Sequence, residues 1–227
     1  MHATGVRFAT TRDVGRLVEL NAAAYPDLVE DGVVFDAPQL MAQQSVFPDG
    51  QIVVEKDGVV VGAIATLIVS QRAALAAHSW SSITSFGTFA SHDPLGDTLY
   101  LADVYVDPRV RGLGPTLYDA LFRLCERRRL ARVVAGGRLW GYHEVAGSMS
   151  PAAYVDEVIR GQRKDRVLGS QLRAGFVVRG ILEGYLEDWR SRSYATHLQW
   201  ENPAFVRRAN NARDVAHGGR AEQRRSS

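Results

Sequence analysis

The amino-acid sequence predicts an α/β fold in which strands and helices alternate and the helices pack on a sheet. Residues 99–106 are dense in aliphatic and aromatic side chains and carry a single charge, which is typical of a strand buried on both faces. An amphipathic helix follows, with an apolar stripe over residues 117–125. Residues 51–69 carry Asp57-Gly58 between two apolar runs, the pattern of a β-hairpin.

The remaining elements follow along the chain. Thr10 and Asp13 are N-cap residue types ahead of a helical pattern that ends at Pro26. Pro108 ends the central strand because proline has no N–H to donate, and Pro115 fits the first turn of the next helix. The predicted strands are residues 6–9, 51–55, 59–69, 99–106, 132–135, 177–186 and 194–201. The predicted helices begin near residues 14, 35, 115, 151 and 167.

Residues 70–97 form an insertion between the third predicted strand and the central one. The segment is long for a hairpin connection. It is expected either to form a lid or wall of an acceptor site or to pack for stability or dimerisation. The sequence favours neither role over the other, so a homodimer stays open.

The composition fits one compact domain with a large core, because 46% of the 227 residues are hydrophobic and 23% are charged. We expect this domain over residues 1–206 and a flexible tail over residues 207–227. The tail has six arginines against two acidic residues and few apolar side chains, too few to offset its ordering entropy. The rest of the chain is slightly acidic, so a nucleic-acid partner is not expected.

The sequence also bears on location and metal content. No apolar run reaches the roughly 18 residues of a membrane span, and the N-terminus lacks the apolar segment of a signal peptide. A cytoplasmic protein without a membrane partner is therefore expected. The single cysteine, Cys125, lies on the apolar stripe and is expected to be a buried small hydrophobe. The histidines are scattered, so no metal site is expected.

The loop after the central strand has the properties of an anion site. Gly112 and Gly114 allow a tight turn that brings free backbone amides to a helix N-terminus, and the amides and the helix dipole both favour phosphate. Arg109 and Arg111 add positive charge. A P-loop is excluded because no Gly-Lys-Ser/Thr occurs, and a dinucleotide fingerprint because its third glycine would fall at Leu117. An ordinary turn remains the alternative.

Residues 109–114 read RVRGLG, which resembles the Q/R-x-x-G-x-G/A motif of the GCN5-related N-acetyltransferases, the GNAT family. Val104, Val106 and Pro108 precede it at the family's spacing, and Gly175-Phe176 is also typical of the family. The resemblance implies the acyl-CoA N-acyltransferase fold, a mixed central sheet of about seven strands with helices on both faces. Its fourth and fifth strands splay apart to admit the pantetheine arm of acetyl-CoA.

The second half of the chain has a narrower resemblance. Residues 136–144, 150–161, 167–176, 184–188 and 198–203 resemble an acetyltransferase-like domain that some bacterial proteins carry ahead of a carbon–nitrogen hydrolase domain.

The family resemblance implies a set of cofactor-binding residues. Backbone groups on the central strand pair with pantetheine, and amides of the loop and the first helical turn hold the pyrophosphate, although Pro115 removes one amide there. The implied residues are Val104, Tyr105, Val106, Arg109, Val110, Arg111, Gly112, Leu113, Gly114 and Thr116.

Acetyl transfer to an amine needs a base near the splay of the two strands. The candidates are Asp103 on the fourth strand, and His143 and Glu144 just beyond the fifth. A buried carboxylate is costly unless it is paired, so Asp103 is expected to serve catalysis or to form a salt bridge with Arg138. His143 and Glu144 either touch substrate or cap a turn.

The general acid is less clearly marked. Many family members carry a tyrosine four residues before the glycine of the -GF- pair, and that position here is Gln171, which cannot donate a proton as an acid. Tyr142 or Tyr154 is then the candidate acid. Alternatively the thiolate, with a pKa near 8 to 9, leaves unassisted.

The resemblance therefore implies an N-acetyltransferase that moves an acetyl or short acyl group from acetyl-CoA to a primary amine of a small molecule. Two rival functions stay open. One is a non-catalytic acyl-CoA-binding module, favoured by Gln171 and by the resemblance to a fused domain. The other is acetylation of a protein, for which a shallow and open acceptor groove is expected.

Overall fold

In the computed structural model, seven strands form one mixed sheet that carries helices on both faces. The structure describes residues 4–29 and 33–207. The strands are β1 (Thr4–Phe8), β2 (Gln51–Lys56), β3 (Val59–Val69), β4 (Thr98–Val106), β5 (Arg132–Arg138), β6 (Val177–Leu182) and β7 (Ala195–Glu201). The helices are α1 (Val14–Ala24), α2 (Ala37–Val46), α3 (Gln71–Leu75), α4 (Trp80–Thr84), α5 (Gly114–Arg127), α6 (Pro151–Ile159) and α7 (Arg166–Arg173). The tail expected over residues 207–227 lies outside the described residues except for Arg207.

The strand order is β1-β2-β3-β4-β5-β7-β6. All neighbouring strands are antiparallel except β4 and β5, which are parallel. The predicted mixed sheet of seven strands is confirmed. Within the described ranges, no helix is long and apolar enough to span a membrane.

Each face of the sheet carries its own hydrophobic core. Along β3, Ile64 and Ile68 point to one core while Leu67 and Val69 point to the other, as the two-residue period of a strand requires. The first core contains the apolar stripe of α5, with Leu121 fully buried. The second contains residues from α1 and α2. β3 and β4 are thus buried on both faces, which explains their nearly continuous apolar sequences.

Cys125 lies inside the first core. Burial raises the pKa of its thiol to about 12, so the thiolate is not formed near neutral pH. This agrees with the expectation of a buried small hydrophobe.

The parallel pairing of β4 with β5 is short. It runs from the Thr98–Arg132 pair to the Leu101–Ala135 pair and then stops. At the same level β4 bulges against β3, because Leu101 and Asp103 face consecutive residues there. Beyond this point the two strands diverge, which is the splay that the family resemblance implies.

Several element boundaries differ from the sequence-based expectation, and β1 spans Thr4–Phe8 rather than residues 6–9. β5 continues to Arg138 instead of ending at residue 135, because the extra residues pair with β7 and need no partner on β4. β6 ends at Leu182 rather than residue 186. Residues 70–97 contain the two short helices α3 and α4, whose N-caps are the serines Ser70 and Ser79.

The α5 core supports a stability prediction. Leu121→Ala removes a fully buried side chain and leaves a cavity, so we expect the free energy of unfolding to fall by about 2–5 kcal/mol. Leu95→Ala makes the same chemical change at a side chain that is 93% exposed, and its effect is expected to stay within about 0.5 kcal/mol. Urea unfolding followed by circular dichroism measures both, and equal losses would contradict the assignment of this core.

Candidate active site

A cavity of about 400 Å³ opens where β4 and β5 diverge. Residues 101–106 of β4 form one wall, and residues 135–138 of β5 contribute to the opposite wall. Helix α7 adds Ser170 and Gln171, and α4 adds Trp80. The 70–97 insertion therefore contributes at least one side chain to the cavity lining. Formation of such a wall is one of the two roles expected for this insertion.

The N-terminus of α5 follows the β4 wall, and the cavity lining reaches Pro108 before it and Tyr118 within the helix. Leu117 is the first residue whose amide bonds within the helix, to the carbonyl of Leu113 at 3.0 Å. Within the described part of the chain, the amides of residues 111–114 and of Thr116 have no hydrogen-bond acceptor. Gly112 has a φ of +80°, and a Cβ added there would meet no atom within 4 Å. The loop thus presents free amides to open space at a positive helix end, as an anion site requires.

The two loop arginines differ in their surroundings. Arg109 is bound to Asp107 through two hydrogen bonds, Nε–Oδ1 at 2.9 Å and Nη2–Oδ2 at 2.7 Å. Arg16 of α1 binds the same carboxylate at 3.0 Å, and these partners hold the pKa of Asp107 well below its usual range. Arg111 is exposed and makes no ion pair among the described residues. Arg109 therefore anchors the loop, and Arg111 is available to an anion.

The other predicted cofactor residues act through backbone or lie on the cavity wall. Val104, Tyr105 and Val106 line the cavity. The side chains of Val110 and Leu113 pack on the α5 core instead, so only their backbone faces the loop.

Asp103 faces the cavity from β4. Its carboxylate accepts hydrogen bonds from Tyr25 Oη at 2.6 Å and from Asn21 Nδ2 at 2.9 Å. Burial, the largest influence on it, raises the pKa of Asp103 to about 6. Tyr25 Oη also lies 2.8 Å from the carbonyl of Val104, although a hydroxyl has one proton to give. The hydroxyl donates to one of these oxygens at a time, and the ionised carboxylate is the stronger acceptor.

The salt bridge considered between Asp103 and Arg138 is not present. Arg138 binds Asp188 at 2.8 Å and Asp27 at 2.9 Å instead. Asp27 is also 3.1 Å from Arg190. These carboxylates neutralise Arg138 and leave Asp103 with uncharged hydrogen-bond partners.

Tyr142, His143 and Glu144 form a single turn beyond β5 and do not line the cavity. Tyr142 is buried and donates to the carbonyl of Met149 at 2.8 Å. The ring of His143 packs against Trp189, and Glu144 is exposed. The structure therefore does not bring these three residues together with Asp103. Tyr154, the other suggested acid, donates to Asp165 at 2.7 Å, also away from the cavity.

Gln171 stands on the cavity wall with a buried side chain. Its Oε1 atom has no hydrogen-bond donor among the described residues. A buried acceptor without a partner is costly, so this oxygen is suited to a donor supplied by a ligand.

Sequence reasoning missed two aromatic residues of the cavity, Tyr25 and Tyr185. Tyr185 packs so closely on Gly136 that an added Cβ there would overlap its ring. A glycine pair inside a strand signals a close approach of this kind. That signal, Gly136-Gly137, was visible in the sequence, but the identity of the approaching side chain was not.

Comparison with known proteins places this geometry in a family. The model of the acetyltransferase (GNAT) family matches residues 15–144. The uncharacterized N-acetyltransferase YkwB of Bacillus subtilis (strain 168) is 31% identical over 209 residues, which cover 91% of this chain and 92% of that protein. The "probable hydrolase" YhcX of the same strain is 31% identical over 204 residues, and the chain spans 39% of its length.

The fold itself recurs in solved structures. GphF, a GNAT-like decarboxylase in complex with isobutyryl-CoA, superposes with a TM-score of 0.71 at 24% identity. The match covers 87% of this chain and 99% of GphF. The fold and the family predicted from residues 109–114 are thus confirmed: the chain belongs to the GNAT family of acetyltransferases.

Proposed function

We propose that this protein is an N-acetyltransferase that moves an acetyl or short acyl group from acetyl-CoA to a primary amine of a small molecule. Membership of the GNAT family makes a coenzyme A thioester the acyl donor, as the sequence predicted. The observation that carries the proposal is the cavity between β4 and β5, which contains the buried carboxylate of Asp103 and borders α5, the helix whose N-terminal amides are unpaired.

The residues present fit coenzyme A. The amides of residues 111–114 and of Thr116, with Arg111, would hold its pyrophosphate. The unpaired edges of β4 and β5 would hold the pantetheine arm, and the orphaned Oε1 of Gln171 would accept one of its N–H groups. When bound, coenzyme A supplies a thioester whose carbonyl carbon is open to attack by an amine.

The chain supplies the base. An amine reaches the site as an ammonium ion and must lose a proton before it can attack. Asp103 faces the cavity, and its raised pKa of about 6 makes it a stronger base than an ordinary aspartate while leaving it mostly ionised at pH 7. Tyr25 and Asn21 fix the orientation of its carboxylate.

The cavity wall supports a small acceptor. Trp80 donates from Nε1 to the carbonyl of Ala102 at 3.1 Å, which ties the insertion to the bulge of β4. Asp27, Arg138 and Arg190 add a paired charged wall to the same cavity. A concave site lined by these side chains suits a small molecule better than an extended protein segment.

The function is tested by turnover. Purified protein is incubated with acetyl-CoA and a panel of primary amines, diamines, amino acids and amino sugars, and thiol release is measured. Acetylation of a small amine supports the proposal. Binding of acetyl-CoA without turnover on any amine favours a non-catalytic acyl-CoA-binding module. Acetylation confined to protein substrates favours a protein N-acetyltransferase.

Gly112→Asp tests the cofactor site. A carboxylate against the pyrophosphate should weaken acetyl-CoA binding at least about 100-fold, measured by isothermal titration calorimetry. Gly161→Asp is the matched control, since Gly161 shares a positive φ of +73° and open space around its Cβ position, and lies outside the cavity. Unchanged affinity in Gly112→Asp would refute the site.

Asp103→Asn tests the base. We expect kcat to fall by about 10²–10⁴-fold, with little change in the affinity for acetyl-CoA. In the wild type, kcat/KM should fall as the pH drops below about 6 because Asp103 becomes protonated, and this limb should be absent in the variant.

Stability separates this role from a structural one. The folded-state pKa of Asp103 is above its ordinary value of 3.8, so ionisation of this group disfavours folding, and the cost is complete only above about pH 6. Asp103→Asn should therefore be no less stable than the wild type at pH 7. A large loss of Tm together with the loss of activity would contradict the catalytic assignment.

A further inference from the structure

Three side chains form a hydrogen-bonded chain that starts at the cavity. Tyr185 lines the cavity, and its hydroxyl lies 2.9 Å from the hydroxyl of Tyr100. The Tyr100 hydroxyl lies 2.9 Å from Nε2 of His78. Tyr100 is fully buried, whereas His78 belongs to the 70–97 insertion and is only half-buried. The chain therefore connects the cavity with a residue that reaches solvent.

The protons on this chain have a defined direction. Nδ1 of His78 lies 2.8 Å from the carbonyl oxygen of Ala76, which can only accept, so Nδ1 carries the proton of the neutral ring. Nε2 is then an acceptor, Tyr100 donates to it, and Tyr185 donates to Tyr100. Tyr185 has no further proton to give, so its oxygen acts only as an acceptor, and the backbone of Gly136 also interacts with it. This hydrogen-bonded chain is therefore oriented to carry a proton from the cavity to His78.

The surroundings of His78 keep its ring neutral. Burial lowers the pKa of His78, and the facing ring of His197 on β7, with centroids 5.7 Å apart, acts in the same direction. His197 itself donates from Nε2 to the carbonyl of Ala74 at 2.9 Å. The other groups that face His78 are the Tyr100 and Tyr185 rings, which are uncharged. No carboxylate contacts the ring within the described residues, so a proton that arrives there is readily lost to water.

Amine acetylation needs such an outlet. Between the ammonium acceptor and the amide product the nitrogen loses two protons, a C–N bond forms and the C–S bond of the thioester breaks. The departing sulfur takes up one proton to become the thiol. One proton per turnover is therefore left over in the cavity.

We infer that Tyr185, Tyr100 and His78 form a relay that exports this proton, an inference that rests on the proposed acetyl transfer. Tyr185 accepts the proton at its oxygen while its own proton passes to Tyr100 and that of Tyr100 passes to Nε2 of His78. The resulting imidazolium releases its Nδ1 proton to water, which leaves the ring protonated at Nε2. The resting state returns when water exchanges the ring proton from Nε2 to Nδ1 and the two hydroxyls rotate back. Tyr185 is a catalytic residue in this scheme, and Tyr100 and His78 act through it.

The kinetic test uses Tyr100→Phe and Tyr185→Phe with the best amine of the panel. Each substitution should lower kcat about 10-fold or more at nearly constant KM for acetyl-CoA, and the double variant should be no slower than the slower single variant, because the relay works as a unit. Thr66→Val is the control, since it removes another buried hydroxyl, bonded to the carbonyl of Gly50, outside the cavity.

A second acceptor separates a relay from a structural role. The O-alkylhydroxylamine analogue of the same amine is far less basic and enters uncharged at pH 7.5, so its acetylation releases no net proton. Tyr100→Phe should slow the amine and largely spare the O-alkylhydroxylamine. Equal losses on both acceptors, or wild-type kcat with the amine, would overturn the relay.

The direction of the chain is measured without any acceptor. In ¹⁵N spectra of the histidine side chains with acetyl-CoA present, the signal that His78→Gln removes should be that of a neutral ring protonated at Nδ1. A ring protonated at Nε2 would point the chain into the cavity and overturn the proposal. If no amine is acetylated, the proposed function fails, and this spectrum still decides whether the chain is directed outward.

Discussion

The site depends on one constraint, the end of parallel pairing between β4 and β5 after Leu101 and Ala135. Backbone groups past that point have no strand partner on the facing edge, and buried backbone groups without partners are costly. Side chains satisfy part of this demand, because Trp80 donates to the carbonyl of Ala102 and Tyr25 reaches that of Val104. The rest of the edge is left to a ligand, and an extended chain with amide groups, such as pantetheine, suits it.

Some parts of the site at this divergence could be predicted from the sequence, and others could not. The loop of residues 109–114 and Asp103 could be predicted because they are local features. A glycine turn before a helix, and a lone charge in an apolar strand, are recognisable without knowledge of the fold. The hydrogen-bond partners of Asp103 could not be predicted from the sequence. Asn21 and Tyr25 lie about 80 positions earlier in the chain, and only the packing of α1 on the sheet brings them to β4.

Contacts between residues far apart in the sequence also explain why some candidate residues lie elsewhere than the sequence predicts. The turn of Tyr142, His143 and Glu144 was placed beside the reaction centre on the expectation that β5 ends at residue 135. Pairing with β7 extends the strand to Arg138 and carries the turn past the cavity. Arg138 itself could not be assigned to Asp27 and Asp188 from the sequence, since nothing local distinguishes those carboxylates from Asp103.

The position of Gln171 on the cavity wall changes how this residue is interpreted. A family tyrosine there would be a proton donor to the sulfur, and its absence suggested an inactive module. Acetylation of an ammonium ion, however, releases more protons than the sulfur consumes, so the site must remove one proton in each turnover. Asp103 accepts one proton near neutral pH, and the hydroxyl of Tyr185 opens a second path outward through Tyr100. A carboxylic acid with a pKa of about 6 is also a stronger acid than a thiol, so a proton held on Asp103 is thermodynamically available to the sulfur. Gln171 is then free to bind the cofactor, and its presence does not argue against catalysis.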